Sequence, residues 1–243
     1  HCSRLASLAP LSPMLIRIKG TISNSYLLLA DRPVLVDTGA PGDLRRILSA
    51  LKKHGVAPKD LALILLTHGH GDHAGCAAEL RRRTGAKIAM HVADSNLART
   101  GRSGVLAVQD ILGRLMRPYI DEEFEPFEPD IIFEQGIALE PYGLRGRVLP
   151  TPGHTRGSVS VVLANGEAII GDVLRGSLLW SNKARDHYFC NDPIRNQHSI
   201  VRLAREGLIR CHPGNFGSFP GSELGRFLST DGGDVLELSE EPV

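Results

Sequence analysis

The sequence predicts an α+β fold, and three observations carry that expectation. Short apolar runs of strand length alternate with amphipathic stretches of helical period. The strand–helix order recurs in both halves of the chain. Strand ends open repeatedly into loops holding histidine, aspartate and glycine, the places where α/β scaffolds present chemistry. The 243 residues are 42% hydrophobic, enough for a real core, and no run approaches the roughly 18 apolar residues of a membrane span. Lys plus Arg is 28 against 27 for Asp plus Glu, a net charge of +1. That balance argues against a dedicated nucleic-acid or membrane surface, where a basic excess is expected.

Residues 1–13 lack a continuous apolar segment of signal-peptide type, and Met14 is followed at once by a strand-like run. We expect Met14 to be the natural start and 1–13 to be an extension, added for expression or translated from upstream. Strands are expected at 15–19, 25–30 and 33–37, the last two forming a hairpin through the turn-like 30–33. Asp37-Thr38-Gly39 ends a buried strand and leads into a helix over 43–53, where Leu44, Ile47, Leu48 and Leu51 recur at helical spacing. Asp37 reads either as a turn residue or as support for a ligand histidine.

The apolar run 61–66 suits a buried strand, and 74–83 reads as a helix. Between them stands Thr67-His68-Gly69-His70-Gly71-Asp72-His73, with four metal-competent side chains within six residues. His68 and His70, two apart in extended chain, project the same way and can grip one ion. Asp72 and His73 can face a second beside it. Imidazole with carboxylate suits zinc, one or two ions, with iron or manganese as alternatives.

A short strand follows at 87–91, ending in His91, which has no partner motif and reads as structural. Residues 95–120 carry apolar positions Leu106, Val108, Ile111, Leu112 and Leu115 consistent with a helix, which Pro118 should break before an acidic, Phe-containing linker over 121–130. This insertion is either a lid over a cleft or a homodimer face. From Ile131 strands return: 146–150 opens into Thr151-Pro152-Gly153-His154-Thr155, and 158–163 turns at Asn165-Gly166 into a strand that delivers Asp172. His154 and Asp172, both at strand ends, read as the remaining ligands. Residues 173–198 lack periodicity and gather Trp180, Tyr188 and Phe189 with several arginines, either a pocket-lining loop or ordinary surface. A helix is expected at 197–206, a last strand at 208–211 leading to His212-Pro213-Gly214-Asn215, and an acidic tail from Asp231. The four cysteines form no CxxC pair, so reduced thiols in a cytoplasmic protein are expected, with Cys76 and Cys211 in the core.

With these residues in place, the chain from about Met14 to Phe216 resembles the metallo-β-lactamase fold superfamily of metal-dependent hydrolases. The resemblance rests on Val36-Asp37-Thr38-Gly39, the 67–73 loop, Thr151-Pro152-Gly153-His154-Thr155 and Gly171-Asp172. It implies a single domain over 14–243 with an αββα four-layer sandwich, two mixed sheets flanked by helices, and the metals at one edge. It places His68, His70 and His154 on the first ion, Asp72 and His73 on the second, and Asp172 between them. The family carries a further histidine on the last strand; here that position is Asn215, and His212 three residues earlier does not align with it. An amide is a weaker zinc ligand than imidazole, so the second site is either weak or completed by His212, His187 or His198.

The resemblance implies hydrolysis through a metal-bound hydroxide, with Asp72 accepting and passing protons. The expected substrate is a small ester, thioester or lactone. The chain has no room for the C-terminal helical domain of glyoxalase II enzymes, a bridging Asp172 speaks against a true β-lactamase, and no RNA-processing insertion is present. Two rivals stand beside this reading. One is an iron-dependent persulfide dioxygenase with one metal; the other is a metal-binding protein with a degraded second site.

Overall fold

The computed structural model describes residues 13–228, apart from the side chains of Met116 and Tyr119. The expectations for 1–12 and for the acidic tail lie outside the described residues. The first sheet contains β1 (Met14–Lys19), β2 (Asn24–Leu29), β3 (Val34–Val36), β4 (Leu63–Leu65), β5 (Lys87–His91) and β6 (Ile131–Phe133), in that spatial order. In it β2 pairs antiparallel with both β1 and β3, and β3 to β6 run parallel. The second sheet is built from β7 (Gly146–Pro150), β8 (Val159–Leu163), β9 (Glu167–Gly171), β12 (Arg210–Pro213) and β13 (Phe219–Pro220), in spatial order β13-β12-β9-β8-β7. A small hairpin of β10 (Arg175–Gly176) and β11 (Ala184–Arg185) stands apart.

The period-two alternation of strand side chains builds four layers. Tyr26, Leu28, Val34, Val36, Leu63 and Leu65 from the first sheet meet Val148, Val161, Leu163 and Ile169 from the second between the sheets. Their neighbours Leu27, Leu35, Ile64 and Ile88 face outward onto α1 (Leu44–Lys53) and α3 (Ala77–Thr84) through Ile47, Leu51 and Leu80. On the far side, Leu149, Val162, Ala168 and Ile170 pack against Ile200 and Leu203 of α6 (Pro193–Arg205). The αββα sandwich is therefore the observed architecture. Each fully buried Leu or Val contributes roughly 1.5–3 kcal/mol. A one-residue slip in any strand would turn its apolar face the wrong way, so the core fixes register and with it the positions of the strand ends.

Several expected boundaries shift, each for a physical reason. The helix expected at 74–83 is two helices, α2 (Gly71–Ala74) and α3, so Asp72 and His73 lie on a helical turn. Residues 95–120 are not one helix: α4 (Ser95–Thr100) stops at Gly101 with φ 67°, and α5 (Ile111–Ile120) follows after extended chain. Leu106 and Val108 belong to that extended segment, where Val108 bridges Phe189. Pro118 sits inside α5 without breaking it, and only two residues of the helix follow it. Helix α6 begins at Pro193, with the Asp192 carboxylate accepting from Arg195 N, earlier than the expected 197. The last strand begins at Arg210, so His212 lies within it. Among the described residues no helix is long and apolar enough to cross a membrane, and Cys76, Cys190 and Cys211 are free and buried.

Candidate metal centre

The C-terminal ends of β3, β4, β7, β9 and β12 converge on one edge of the sandwich, and each releases a loop there. Asp37 follows β3, the 67–73 loop follows β4, His154 follows β7, Asp172 follows β9, and Asn215 follows β12. The two sheets are tied at this edge by Val159 N donating to Thr67 O at 2.8 Å and by Tyr26 Oη donating to Pro213 O at 2.6 Å.

His68, His70, Asp72, His73, His154 and Asp172 are brought together there, all buried. Asp172 Oδ2 is the hub, 3.9 Å from His68 Nε2, 3.4 Å from His73 Nε2, 3.5 Å from His154 Nε2 and 3.0 Å from His187 Nε2. Asp72 Oδ2 lies 3.5 Å from His73 Nε2, and His70 Nδ1 lies 3.0 Å from His154 Nε2. Three mutually close ligand sets result: His68, His70 and His154; His68, Asp72 and His73; and His154, Asp172 and His187.

Hydrogen bonds behind the rings set their tautomers. Asp37 Oδ2 accepts from His73 Nδ1 at 2.8 Å and from Thr67 Oγ1 at 2.8 Å, while Asp37 Oδ1 accepts from Thr67 N at 2.7 Å. Having spent its proton on Asp37, the Thr67 hydroxyl accepts from His68 Nδ1 at 3.0 Å. His154 Nδ1 donates to Phe189 O at 2.8 Å. For His68 and His154 this leaves Nε2 as a bare lone pair aimed at the cluster. Asp37 holds its position at φ 60°, a left-handed conformation costly for a residue with a Cβ and maintained by these three bonds.

The electrostatics agree with this assignment. Burial, then the neighbouring imidazoles, holds His68 and His70 well below the ordinary histidine range. Burial and His187 push His154 down to about 3. These rings stay neutral, the form that binds metals. Burial opposes a proton on His73, yet Asp172, Asp72 and Asp37 together pull it well above the usual value. Burial pushes Asp72 up to about 6, against the pull of His73. Burial also opposes ionisation of Asp172, but His187 and His73 hold its carboxyl well below the usual range.

The donor set passes a simple test of fit for a divalent cation. His68 Nε2, His70 Nε2, His73 Nε2, Asp72 Oδ1 and Asp172 Oδ1 are buried without a hydrogen-bond partner. Ring nitrogens and carboxylate oxygens crowd one point, and a cation reconciles such a set far better than any protein donor.

The remaining candidates divide. Asn215 Oδ1 lies 2.8 Å from His187 Nε2, and its Nδ2 has no partner. His212 turns away, with Nδ1 2.9 Å from Ser218 Oγ and Nε2 3.3 Å from Glu167 Oε1, outside all three ligand sets. His198 is exposed on α6. His91 is structural, with Nε2 donating to Glu134 O at 2.8 Å and Nδ1 accepting from Ala93 N at 3.2 Å.

Sequence reasoning missed Asp94 altogether. Its Oδ2 accepts from Gly69 N at 3.0 Å and Thr155 Oγ1 at 2.7 Å, and its Oδ1 from Gly157 N at 2.8 Å. One buried carboxylate thus ties the His68–His70 loop to the His154 loop. No local spacing signals it. Against the His187 flank of the centre, where that ring's centroid lies 6.1 Å from those of Tyr188 and Phe189, packs an apolar cap of Leu106, Ile120, Tyr188 and Phe189, joined by Ile22, Val108 and Phe216. A cavity of about 630 Å³ opens beside the His154 loop, lined by Gly153, Thr155, Arg156, Asn191 and Arg195 among others.

The sequence profile of the metallo-beta-lactamase superfamily matches residues 18–183. A probable metallo-hydrolase of Methanocaldococcus jannaschii is 28% identical over 200 residues, covering 81% of this chain and 88% of its own. A hydroxyacylglutathione hydrolase of Anaeromyxobacter dehalogenans is 30% identical over 216 residues, covering 88% of this chain and 69% of its own. Among solved structures, a metallo-beta-lactamase family protein of Thermus thermophilus superposes with a TM-score of 0.67 at 25% identity, covering 90% of this chain and 78% of that one. The chain belongs to the metallo-beta-lactamase superfamily and is a metallo-hydrolase by class.

Proposed function

We propose that the protein hydrolyses a small ester, thioester or lactone with the help of divalent metal, zinc being the expected ion. The observation that carries this reading is the convergence of unpartnered ring nitrogens and carboxylate oxygens on one buried point. His68, His70 and His154 would hold the first ion, and Asp72, His73 and Asp172 the second, with Asp172 shared. When bound, such ions act as Lewis acids and lower the pKa of water to about 7.

The chain's own residues do the rest. Asp37 orients His73 and, through Thr67, His68, so that both rings present Nε2 inward. Asp72 Oδ1, free of any protein partner, is placed to accept a proton from attacking water and to return it to the leaving group. The cap around Tyr188 and Phe189 keeps bulk water from the reacting groups. Arg156 and Arg195 line the cavity beside the His154 loop.

A thioester gains further support from the Anaeromyxobacter dehalogenans relative, whose name is hydroxyacylglutathione hydrolase. The test is steady-state turnover by zinc-loaded protein on a glutathione thioester, a γ-lactone, an aryl ester and a phosphodiester. Turnover of the acyl substrates is expected to exceed that of the phosphodiester. Turnover confined to the phosphodiester would overturn the proposal.

A further inference from the structure

We propose that His187 is a metal ligand of this chain, supplying from the loop after β11 the nitrogen that the last strand, carrying Asn215, does not. The inference rests on the metallo-hydrolase reading above and concerns how its second site is completed. His187 is buried, 6% exposed, although it comes from a segment whose sequence carries no metal-binding spacing. Its Nε2 lies 3.0 Å from Asp172 Oδ2, nearer to the hub than Nε2 of His68, His73 or His154. It forms one of the three compact ligand sets with Asp172, the carboxylate shared by both ions, and with His154, the neighbouring ligand of the first.

The position of the ring explains why Asn215 is tolerated. The backbone just before Asn215 presses directly on the centre: a Cβ on Gly214 would stand 2.2 Å from Asp172 Oδ1 and 2.5 Å from His73 Cε1. Residue 215 therefore enters the site from a close approach. Asn215 Oδ1 lies 2.8 Å from His187 Nε2, so a longer side chain at 215 would meet the His187 ring. The two positions compete for one place, and a short residue at 215 leaves it to His187.

The ring's hydrogen bonds admit a ligand tautomer. His187 Nδ1 lies 3.1 Å from Phe189 O and 3.2 Å from Phe189 N; with the ring proton on Nδ1 and given to Phe189 O, Nε2 is a lone pair facing two acceptor oxygens, Asp172 Oδ2 and Asn215 Oδ1. Three acceptors facing one another call for a cation among them. The rival arrangement puts the proton on Nε2, making His187 a plain donor to Asp172 or Asn215 while Nδ1 accepts from Phe189 N at 3.2 Å. In that case His187 would not bind metal.

The ligand assignment has a mechanical consequence. The His187 loop is laced to the cap: Cys190 N donates to Ala107 O at 3.0 Å, Gln109 N to Tyr188 O at 2.8 Å, and Val108 bridges Phe189. An ion held by His187 would therefore also steady the cap.

The experiment is titration of chelator-treated protein with Co²⁺, followed by visible absorption and equilibrium dialysis, with hydrogen exchange over 105–113 as a second readout. The wild type is expected to take two equivalents, the second slowing exchange in the cap. In His187→Ala the second ion should bind at least about 100-fold more weakly, more than the loss of a group that only orients a ligand, and exchange in the cap should no longer respond. Asn215→Ala should keep both ions, and His187→Ala/Asn215→His should regain the second. Unchanged second-ion binding in His187→Ala, loss of it in Asn215→Ala, or a single equivalent in the wild type would overturn the proposal. A wild type that binds no ion at all would instead overturn the metallo-hydrolase reading on which it rests.

Discussion

The two sides of the metal centre are built in opposite ways. One side is a single loop, His68 to His73, that leaves one strand and supplies two pairs of donors almost consecutively. The other is assembled from Asp172, His187 and Asn215, which leave separate turns and meet only because the second sheet and its neighbouring loop fold together. The loop side is braced by Asp37 and Thr67 from behind. The assembled side is held by main-chain bonds of the turns that carry it, among them Gly214 N to Gly171 O at 2.7 Å and Gly176 N to Asn215 O at 3.0 Å. A contiguous ligand set can be read from spacing and keeps its geometry through local structure; a scattered one depends on packing and can exchange one residue for another.

This contrast ranks the consequences of mutation. The largest effect is expected from His68→Ala or His154→Ala, which should abolish uptake of the first ion and reduce hydrolysis to background, as checked by elemental analysis and turnover. Asp37→Asn keeps the side chain's shape but removes the charged acceptor behind His73. Metal affinity should fall roughly 10–100-fold, the usual cost of losing a group that orients a ligand, and equilibrium dialysis measures it.

Effects on stability come next. Thr155→Val removes one hydrogen bond to buried Asp94, at 2.7 Å, and should cost about 1–3 kcal/mol. For a domain of this size each kcal/mol lowers Tm by roughly 2–4 °C, so calorimetry of the metal-free protein would register it. The smallest effect belongs to His212→Asn: His212 faces Ser218 and Glu167, so metal stoichiometry should stay at the wild-type value. A lost equivalent there would show that the assembled side includes the last strand after all.

Much of the fold was legible because burial writes a period into sequence. The continuous apolar run Tyr26 to Leu28, buried on both faces of its sheet, and the helical spacing of Ile47 and Leu51 are direct records of their environments. Boundaries were less so: Pro118 inside α5 and the start of α6 at Pro193 depend on where a terminus happens to fall. The 67–73 loop announced itself by composition. Asp94 did not, since a single aspartate after a strand looks the same whether it faces water or stitches Gly69 to Thr155 and Gly157. His187 stood among three candidate histidines because its meeting with Asp172 is a tertiary event. The apolar residues Ile111 and Leu115 of α5, read as one face of a longer helix, are 78% and 66% exposed; periodicity reports an apolar face without saying what covers it.

The central claim is that this buried cluster works by holding metal. It is tested most directly by assaying thioester hydrolysis before and after exhaustive chelation, with metal content measured on the same samples. Activity should disappear with the metal and return on adding zinc. Full hydrolysis by protein shown to be metal-free would contradict the account.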